Sequence, residues 1–514
     1  MKIVLRSADE SRVGMGVRTL SACLRERGFE TVIVLMANLE SGYAGFRWDD
    51  LFALCKGADL IGVSFMTHAV DKAVEIKNRL SKITSAPILA GGIHASLAPE
   101  SLLEDFSYVC HGEGEDLIVE MARRIEHGEE LGNIPGLWSN IGGVVIKNPA
   151  AALTRDINGY PFPDYDMTHQ YVIDGEGLTL IRPTPLHMSI EDFVVLGSRG
   201  CPHHCTYCCN RKIKNDFPWR KKVAHYSVDY LIALLKEVKQ RFPEVKSFWI
   251  EDDTFFAKEL AEIKLFAERY KEQIGMPFKI LISPWTYSKE KLDPLVDAGM
   301  EKLMMGIQSG CERVNKDLYD RNMTNQRLLD IARSLHEYPQ LLKCYDFIGM
   351  NPFETAADLI ETTRFIRELP EPFYMFSNNL AFYPGTELSE QAIRAGIDIS
   401  RRVKHSEAEV GYGILLHDKL EHKIFHLLLL LMSGMITRRM CGRVPRIMLS
   451  EPMLKLYAFS DRALPGISNA AALALTAFCY YCNWKKLVKK VFSPRTIGAV
   501  RHFLARLRGE ERSS

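Results

Sequence analysis

Apolar runs of four or five residues alternate with amphipathic stretches over residues 1–135. Short apolar runs rich in β-branched residues predict buried strands, and apolar positions three or four residues apart predict helices. Strands that alternate with helices form a parallel, doubly wound sheet, so this pattern predicts an N-terminal Rossmann-like α/β domain. The predicted strands are Lys2–Leu5, Thr31–Leu35, Leu60–Ser64 and Pro87–Ala90, and the predicted helices include residues 48–55 and 69–80.

The same alternation resumes after residue 190 and continues to residue 400. Six apolar runs, separated by helical patterns, predict a partial (β/α)6 barrel over residues 191–400, with functional residues at the carboxyl ends of its strands. Residues 136–190 lack a clear period and hold two prolines within residues 160–164, which indicates a connector between the two domains. The predicted barrel strands are Phe193–Leu196, Ser247–Ile250, Phe278–Ile282, Lys302–Gly306, Leu342–Ile348 and Ser377–Phe382.

Small and polar residues follow the strands of the first predicted domain. One group comes after the third strand, a second after the fourth strand, and a third about twenty residues later. Ligands of doubly wound sheets bind beyond the carboxyl ends of the strands, so we expect a ligand at this edge of the sheet. The candidate binding residues are Ser64, Gly91, Gly92, His94, Gly112 and Glu113.

Three cysteines follow the first strand of the predicted barrel with the spacing C-x3-C-x2-C, at Cys201, Cys205 and Cys208. A tetrahedral zinc ion or a four-cysteine iron–sulfur cluster has four ligands, so three thiolates leave one position open for a substrate or cofactor. Gly197 and Gly200 allow the loop to wrap tightly around a large inorganic group. A zinc knuckle and simple burial of the cysteines are the alternatives.

The chain has 514 residues and 12 cysteines, and the cysteines do not show the spacing of a disulfide framework. This composition is typical of a reducing compartment. No basic segment followed by an apolar one opens the chain, so we expect no signal peptide and a cytoplasmic location. The net charge is +1, and we expect no nucleic-acid partner.

Residues 401–514 predict a helical and basic C-terminal segment. Lysine and arginine number 16 from Glu421 to Ser514 against five acidic residues, whereas the rest of the chain is acidic. The apolar runs at 424–432 and 470–481 are shorter than the roughly 18 residues of a spanning helix, so they predict buried helices. Basic and apolar residues interleave at 484–508, which supports a hypothesis of peripheral membrane contact; a solvated basic helix is the alternative.

The cysteine loop resembles the signature of the radical SAM enzymes, in which an aromatic residue, here Tyr207, precedes the last cysteine. The resemblance implies that Cys201, Cys205 and Cys208 hold three irons of a 4Fe-4S cluster. The fourth iron would bind S-adenosylmethionine, which one electron cleaves to a 5'-deoxyadenosyl radical. An external electron donor, such as a flavodoxin or ferredoxin, is then required.

The ends of the later strands resemble cofactor-binding phrases of the same family. Gly306 to Gly310 match a phrase usually written G-x-E-S-G, with Gln308 in place of glutamate. Both side chains accept a hydrogen bond from a ribose hydroxyl, but glutamine brings no charge. The residues to which the resemblance assigns cofactor contacts are Tyr207, Glu251, Asp252, Ser283, Gln308 and Ser309.

The first domain resembles the cobalamin-binding domain that precedes the radical core in one large radical SAM subfamily. The resemblance rests on Gly91-Gly92 with His94 and on residues 112–115. Related cobalamin domains carry D-x-H-x-x-G after the first strand, and residues 9–14 keep this frame with Ser11 in place of the histidine. The resemblance therefore implies bound cobalamin near Ser11, without histidine as the lower ligand of cobalt.

Together these resemblances imply a cobalamin-dependent radical SAM enzyme that methylates an unactivated carbon of a small-molecule or lipid substrate. A cyclase, oxidase or rearrangement enzyme with the same cofactors is the first alternative. A methylthiotransferase-like enzyme is the second, although Cys23, Cys55 and Cys110 are widely spread for the additional cluster such enzymes carry. A non-catalytic cobalamin sensor is the third.

Overall fold

The computed structural model describes residues 1–9, 13–36, 47–174, 177–180 and 192–399. Ser11 and the predicted C-terminal segment, residues 401–514, lie outside these ranges. The described chain divides into two compact units. The first unit contains Met1–Met305, Leu318–Arg321 and residues 381–399, and the second contains Gly306–Asp317 and Asn322–Leu380.

The N-terminal half of the first unit is built on a sheet of nine described strands in the order β7-β6-β5-β4-β3-β1-β2-β8-β9. The four predicted strands, β1 to β4, run parallel in the sheet, and β5, which was not predicted, is parallel to β4. Strand β8 is parallel to β2. The strands are β1 (Lys2–Ser7), β2 (Glu30–Met36), β3 (Leu60–Ser64), β4 (Ile88–Gly91), β5 (Tyr108–Cys110), β6 (Leu137–Ile141), β7 (Val144–Lys147), β8 (Gln170–Asp174) and β9 (Gly177–Leu180).

Helices cover both faces of this sheet, because successive side chains of a buried parallel strand point to opposite faces. Ile3 and Leu5 of β1 pack with the first and fifth helices, whereas Val4 packs with the second and third. Two apolar layers therefore enclose the sheet, which confirms the doubly wound prediction. The helices are α1 (Met15–Glu26), α2 (Trp48–Cys55), α3 (Val70–Leu80), α4 (Ile93–Leu97) and α5 (Glu115–His127).

The segment predicted as a connector supplies four strands of the first sheet. Strands β6 and β7 form an antiparallel hairpin on β5, and β8 and β9 add to the other edge beside β2. All four residues of β7 are exposed, so this edge strand has no buried face to produce a readable period. The exact domain boundaries remain predictions, but the sheet extends beyond residue 135.

The second sheet begins in the first unit with β10 (Asp192–Val195), β13 (Ser247–Ile250), β14 (Phe278–Ile282) and the start of β15 (Met300–Gln308), which pair in parallel in this order. A short antiparallel pair, β11 (Ser198–Arg199) and β12 (Ala224–His225), flanks the cysteine loop. The helices of this part are α6 (Cys209–Asp216), α7 (Val228–Arg241), α8 (Leu260–Gln273), α9 (Lys289–Asp297) and α12 (Glu387–Arg394).

The second unit continues the strand–helix alternation. It contains α10 (Asn325–His336), β16 (Leu342–Gly349), α11 (Ala356–Glu368) and β17 (Tyr374–Asn379), and β16 pairs in parallel with β17. All six strands of the predicted barrel are therefore present, and the α/β fold class is confirmed. Among the helices that the structure describes, none is both long and apolar enough to cross a lipid bilayer.

Candidate active site

The cysteine loop leaves the carboxyl end of β10 and is fixed at its stem by Gly197. The Gly197 amide donates to Asp252 Oδ1 at 2.6 Å, and Lys258 Nζ donates to the Gly197 carbonyl at 2.8 Å. Lys258 Nζ also lies 3.7 Å from Asp252 Oδ2, and both side chains are almost fully buried. This arrangement positions the start of the loop. The Asp252 carboxylate is buried and already bonded to the Gly197 amide. The cofactor contact predicted for Asp252 remains a prediction, and this geometry does not favour it.

The three cysteines of the loop lie on one tight segment. Cys205 is buried, whereas Cys201 and Cys208 are partly exposed. A turn joins the last two, with the Cys208 amide donating to the Cys205 carbonyl at 3.1 Å, and α6 begins directly after Cys208. Within the described ranges, no three His, Cys, Asp or Glu side chains are arranged to hold a single metal ion. A four-iron cluster places its thiolates on different irons, so its ligands need not converge on one point.

The protonation states of the loop thiols differ because their surroundings differ. Burial raises the pKa of Cys201 to about 12. A hydrogen bond with Cys209 lowers the pKa of Cys208 and raises the pKa of Cys209. Of these two neighbouring thiols, Cys208 therefore loses its proton more readily than Cys209. Since the thiolate is the metal-binding form, this difference favours Cys208 as a ligand over Cys209, which lies outside the C-x3-C-x2-C spacing.

Residues 318–321 pack against the cysteine loop, a contact that the sequence did not reveal. The Thr206 amide donates to the Tyr319 carbonyl at 3.2 Å, and the rings of Tyr207 and Tyr319 meet edge to face with centroids 4.9 Å apart. Arg321 Nη1 lies 3.5 Å from Cys205 Sγ. The edge-to-face contact fixes the ring of Tyr207.

The acidic residues after β13 do not all face the cysteines. Asp253 interacts electrostatically with Cys201 and Cys208, and it forms a side-chain hydrogen bond with Asn210. Asp253 is exposed to solvent on one side. Protein atoms around the rest of its carboxylate reduce its solvation, and this raises its pKa. Glu251 is also exposed. Asp253, which lies next to the predicted Asp252, is therefore the better placed carboxylate.

Ser283 and Ser309 use their hydroxyl groups within the protein. Ser283 Oγ accepts from the Trp285 amide at 3.4 Å. In the second unit, Ser309 is buried, and its Oγ lies 3.1 Å from Thr362 Oγ1 and accepts from the Cys311 amide at 3.1 Å. Gln308 has φ 71°, a left-handed conformation that is uncommon outside glycine. The cofactor contacts assigned to these residues remain predictions.

A cavity of about 370 Å³ lies beyond the carboxyl ends of the first sheet, where the strand pattern predicts a ligand. Five of the predicted binding residues line it. The opposite part of its lining comes from the cysteine loop and the segment that follows α6, including Leu196, Arg199, Phe217, Trp219 and Arg220. The predicted residues brought together here are Ser64, Gly91, Gly92, Gly112 and Glu113.

Gly92 shapes the floor of this cavity through its backbone. Its φ is +93°, and a Cβ built at this position would lie 2.6 Å from the carbonyl oxygen and 2.7 Å from the amide nitrogen of Phe65. Because neither backbone atom can move like a side chain, only glycine fits. Gly92 and Phe65, which follow β4 and β3, therefore approach each other closely where both line the cavity.

Two arginines and two glutamates form a charged network on the cavity wall. Arg199 Nη1 lies 2.5 Å from Glu115 Oε1 and 3.4 Å from Glu113 Oε2, and Arg220 Nη1 lies 3.1 Å from Glu113 Oε1. Burial raises the pKa of Glu113. Although Arg199 lies only two residues before Cys201, it contacts carboxylates that follow β5 of the first sheet. The network thus links the cysteine loop to the cavity.

The cavity offers hydrogen-bonding groups to a large ligand. Trp219 lines it, and the buried Nε1–H of this residue has no hydrogen-bond partner among the described residues. A buried donor without a partner is costly, so a ligand acceptor at this position would be stabilising. Cobalamin carries amide groups around its ring, and these match the tryptophan donor and the charged network. The residues present therefore fit this cofactor.

His94 does not line the cavity, contrary to the arrangement expected from its position after Gly91-Gly92. It is buried, with Nδ1 3.1 Å from Thr67 Oγ1 and Nε2 3.4 Å from Ser101 Oγ. Burial lowers its pKa to about 4. The side chain of His94, a residue of α4, therefore packs in the protein interior. Its assignment to cofactor binding has no support from the geometry.

The buried imidazole of His94 predicts a specific loss of stability in acid. Between pH 6.5 and 4 the unfolded chain binds the proton and the folded chain does not, so acid lowers the free energy of unfolding. A pKa near 4 corresponds to a loss of about 3 kcal/mol over this interval. Chemical denaturation at several pH values should show a shallower pH dependence for His94→Gln than for the unaltered chain. Equal slopes would contradict the prediction.

The fold and the two sites define a class of enzyme. A strand–helix repeat whose first loop carries three cysteines follows a doubly wound domain with a glycine-shaped cavity, and residues of the loop line this cavity. This is the arrangement of an enzyme that places an iron–sulfur cluster beside a second large cofactor.

Family models identify both parts of the chain. The model of the radical SAM superfamily matches residues 195–366, and the model of the B12 binding domain matches residues 1–122. The chain belongs to the radical SAM enzymes that carry a B12-binding domain. Its cofactors are a 4Fe-4S cluster, S-adenosylmethionine and cobalamin.

Individual relatives have low sequence identity to this chain but match most of its length. An uncharacterized methyltransferase of Pyrococcus horikoshii is 24% identical over 65% of this chain and 69% of its own length. Cytidylyl-2-hydroxyethylphosphonate methyltransferase of Streptomyces wedmorensis is 23% identical over 68% of this chain and 70% of its own length. The structure of the radical S-adenosylmethionine methyltransferase TsrM from Kitasatospora setae covers 77% of this chain and 76% of that protein, with 16% identity and a TM-score of 0.60. This likeness shows the fold.

Proposed function

We propose that the protein is a cobalamin-dependent radical SAM methyltransferase that methylates an unactivated carbon of a small molecule. The observation that carries the proposal is the position of Arg199. It belongs to the cysteine loop, yet it lines the cavity together with Gly92 and Glu113 of the B12-binding domain. A cluster on the loop and a cobalamin in the cavity would therefore be neighbours, as methyl transfer through both cofactors requires.

The chain's own residues would hold and orient the cofactors. Cys201, Cys205 and Cys208 are the proposed ligands of the cluster, and the Gly197 clamp by Asp252 and Lys258 positions their loop. When bound, the cluster supplies the electron that cleaves S-adenosylmethionine, and cobalamin carries the methyl group. The electron itself would come from an external donor protein.

Asp253 is the proposed acceptor for the ammonium group of S-adenosylmethionine, because it lies near enough to Cys201 and Cys208 to interact with both electrostatically. A carboxylate can form charge-assisted hydrogen bonds with an ammonium group. Removing its charge in Asp253→Asn should weaken S-adenosylmethionine binding by about tenfold to a hundredfold. Equilibrium binding to the anaerobically reconstituted protein measures the effect. Glu251→Gln, two residues earlier, is the matched control and should change affinity less than threefold. A larger loss in the control would assign the role to Glu251.

Similarity to named enzymes supports methyl transfer to a small molecule. Two of the relatives described above are named methyltransferases, and the substrate in the name of one is a cytidylyl phosphonate. The lipid substrate considered from the sequence depended on the basic C-terminal segment, which lies outside the described residues. We therefore propose a small-molecule substrate.

The positions of the N-terminal cysteines argue against a methylthiotransferase. That class carries further cluster cysteines in its first domain. Here Cys55 packs in the apolar layer with α2 and α3, whereas Cys110 packs in the layer with α1 and α5. Since the sheet separates these layers, the two thiols do not belong to a common cluster.

The fate of the methyl group tests the proposal. The reconstituted protein is reduced anaerobically and incubated with S-adenosylmethionine carrying a deuterated methyl group, and the cobalamin fraction is analysed by mass spectrometry. If the protein is a methyltransferase, the deuterated methyl group should appear in the cobalamin. The radical mechanism also requires that 5'-deoxyadenosine is formed. Deoxyadenosine without label in cobalamin would contradict methyl transfer and favour the cyclase or oxidase alternative.

A further inference from the structure

A buried lysine lies directly beneath the cysteine loop. Lys214 is in α6, the helix that begins after Cys208, and only 4% of the residue is exposed. Its Nζ donates to the carbonyl oxygens of Cys201, at 3.0 Å, and His203. Among the described residues no carboxylate forms an ion pair with it. Buried lysines are usually paired with an acidic group, so this placement beside three sulfurs is unusual.

Asp253 supplies a charge of opposite sign at the same loop. Asp253 directly follows Asp252, whose Oδ1 accepts from the Gly197 amide at the stem of the loop at 2.6 Å. The exposed carboxylate of Asp253 is therefore near the loop, close enough to interact electrostatically with Cys201, Cys208 and Lys214. Neither Lys214 nor Asp253 belongs to the three-cysteine signature. The cysteine loop thus has a buried cation and a solvent-exposed anion near its thiols.

Charge near an iron–sulfur cluster changes its reduction potential. Reduction transfers one electron from an external donor to the cluster, and no bond is formed or broken and no proton moves. The reduced cluster carries one more negative charge than the oxidised one. A fixed cation in a poorly solvated environment therefore favours the reduced form, and a fixed anion favours the oxidised form.

We propose that Lys214 and Asp253 set the reduction potential of the cluster in opposite directions, Lys214 raising it and Asp253 lowering it. The inference rests on the proposed function, because it needs a cluster on Cys201, Cys205 and Cys208. Lys214 also positions the loop through its two carbonyl contacts. This role does not require either side chain to be a ligand of iron. It is separate from the contact with S-adenosylmethionine proposed for Asp253, because it applies to the cluster without that cofactor.

The same helix provides a matched control. Lys212 lies two residues before Lys214, its side chain is 22% exposed, and its Nζ forms an ion pair with Asp216 at 2.7 Å. Lys212→Met removes the same charge from the same helix as Lys214→Met. Because solvent and Asp216 already screen Lys212, its loss should leave the cluster potential unchanged.

The experiment is a redox titration of the full-length, anaerobically reconstituted protein without S-adenosylmethionine. Dithionite and mediators set the potential, and electron paramagnetic resonance measures the reduced cluster. At the midpoint of the unaltered protein, Lys214→Met should lower the ratio of reduced to oxidised cluster about tenfold, equivalent to about 59 mV. Asp253→Asn should raise the ratio, and Lys212→Met should leave it unchanged.

The two substitutions should shift the reduction potential in opposite directions, and this distinguishes the proposed role from a merely structural one. A change of both Lys214→Met and Asp253→Asn in the same direction would overturn the inference, as would unchanged potentials in both. If Lys214→Met does not assemble a cluster, the direction of the shift in Asp253→Asn decides the question, and a lower or unchanged ratio overturns the inference. Absence of a cluster from the unaltered protein would instead overturn the proposed function.

Discussion

Cys205→Ala is expected to abolish formation of 5'-deoxyadenosine, lowering its rate by at least about a thousandfold. The buried Cys205 is the middle member of the three-cysteine loop, and the guanidinium of Arg321 lies beside its sulfur. Without this thiolate, one iron of the cluster has no protein ligand. Iron analysis and the absorbance of the reconstituted protein should show loss of the cluster, and liquid chromatography should show loss of deoxyadenosine.

Cys209→Ala is the control for this prediction. Cys209 adjoins Cys208, and its hydrogen bond to Cys208 raises its own pKa, so it is expected to remain a thiol. The variant should retain its iron and at least about a third of the activity, because only one hydrogen bond to a ligand is lost. Full activity in Cys205→Ala, or loss of the cluster in Cys209→Ala but not in Cys205→Ala, would contradict the ligand assignment.

Gly92→Ala is expected to destabilise the B12-binding domain by about 4 kcal/mol and to weaken cobalamin binding at least about a hundredfold. A methyl group at this position would lie 2.6 Å from the Phe65 carbonyl oxygen, in a residue with φ +93°. The strand ends would have to separate, which deforms the cavity. Denaturant titration measures the stability, and difference absorbance measures cobalamin affinity.

Gly128→Ala separates this steric conflict from the cost of a positive φ. Gly128 follows α5 with φ +67°, and a Cβ there would meet no atom within 4 Å. Its replacement should cost about 1 kcal/mol and leave cobalamin affinity unchanged. Equal losses of cobalamin affinity in the two variants would show that the close approach to Phe65 does not shape the site.

The strands and the cysteine loop were predictable because their signals are local. Buried parallel strands such as β2 and β3 are short apolar runs, and the spacing of Cys201, Cys205 and Cys208 is fixed within eight residues. The edge strand β7 was missed because all its residues are exposed. A strand without a buried face has no period that distinguishes it from a loop.

The orientation of side chains at the strand ends was less predictable. Asp252 and Asp253 are chemically identical neighbours, yet Asp252 is buried and accepts from the Gly197 amide, whereas Asp253 is exposed to solvent. His94 follows the two glycines that shape the cavity but points into the interior. Only the path of the backbone decides which of two adjacent residues enters a site.

The network of Arg199 and Arg220 with Glu113 could not be predicted, because its partners are more than 80 residues apart in sequence. The only sign of this network in the sequence was that Arg199 lies within the cysteine loop. The fold brings the loop against the end of β5, and this proximity of the two cofactor sites is the basis of the proposed function.

The most direct test of that function is anaerobic reconstitution of the full-length chain with iron, sulfide and hydroxocobalamin, followed by metal counting and a deoxyadenosine assay. About four irons and one cobalt per chain are predicted, with deoxyadenosine formed from S-adenosylmethionine. Iron without cobalt would contradict the assignment of the cavity to cobalamin. Zinc in place of iron would contradict the radical mechanism itself.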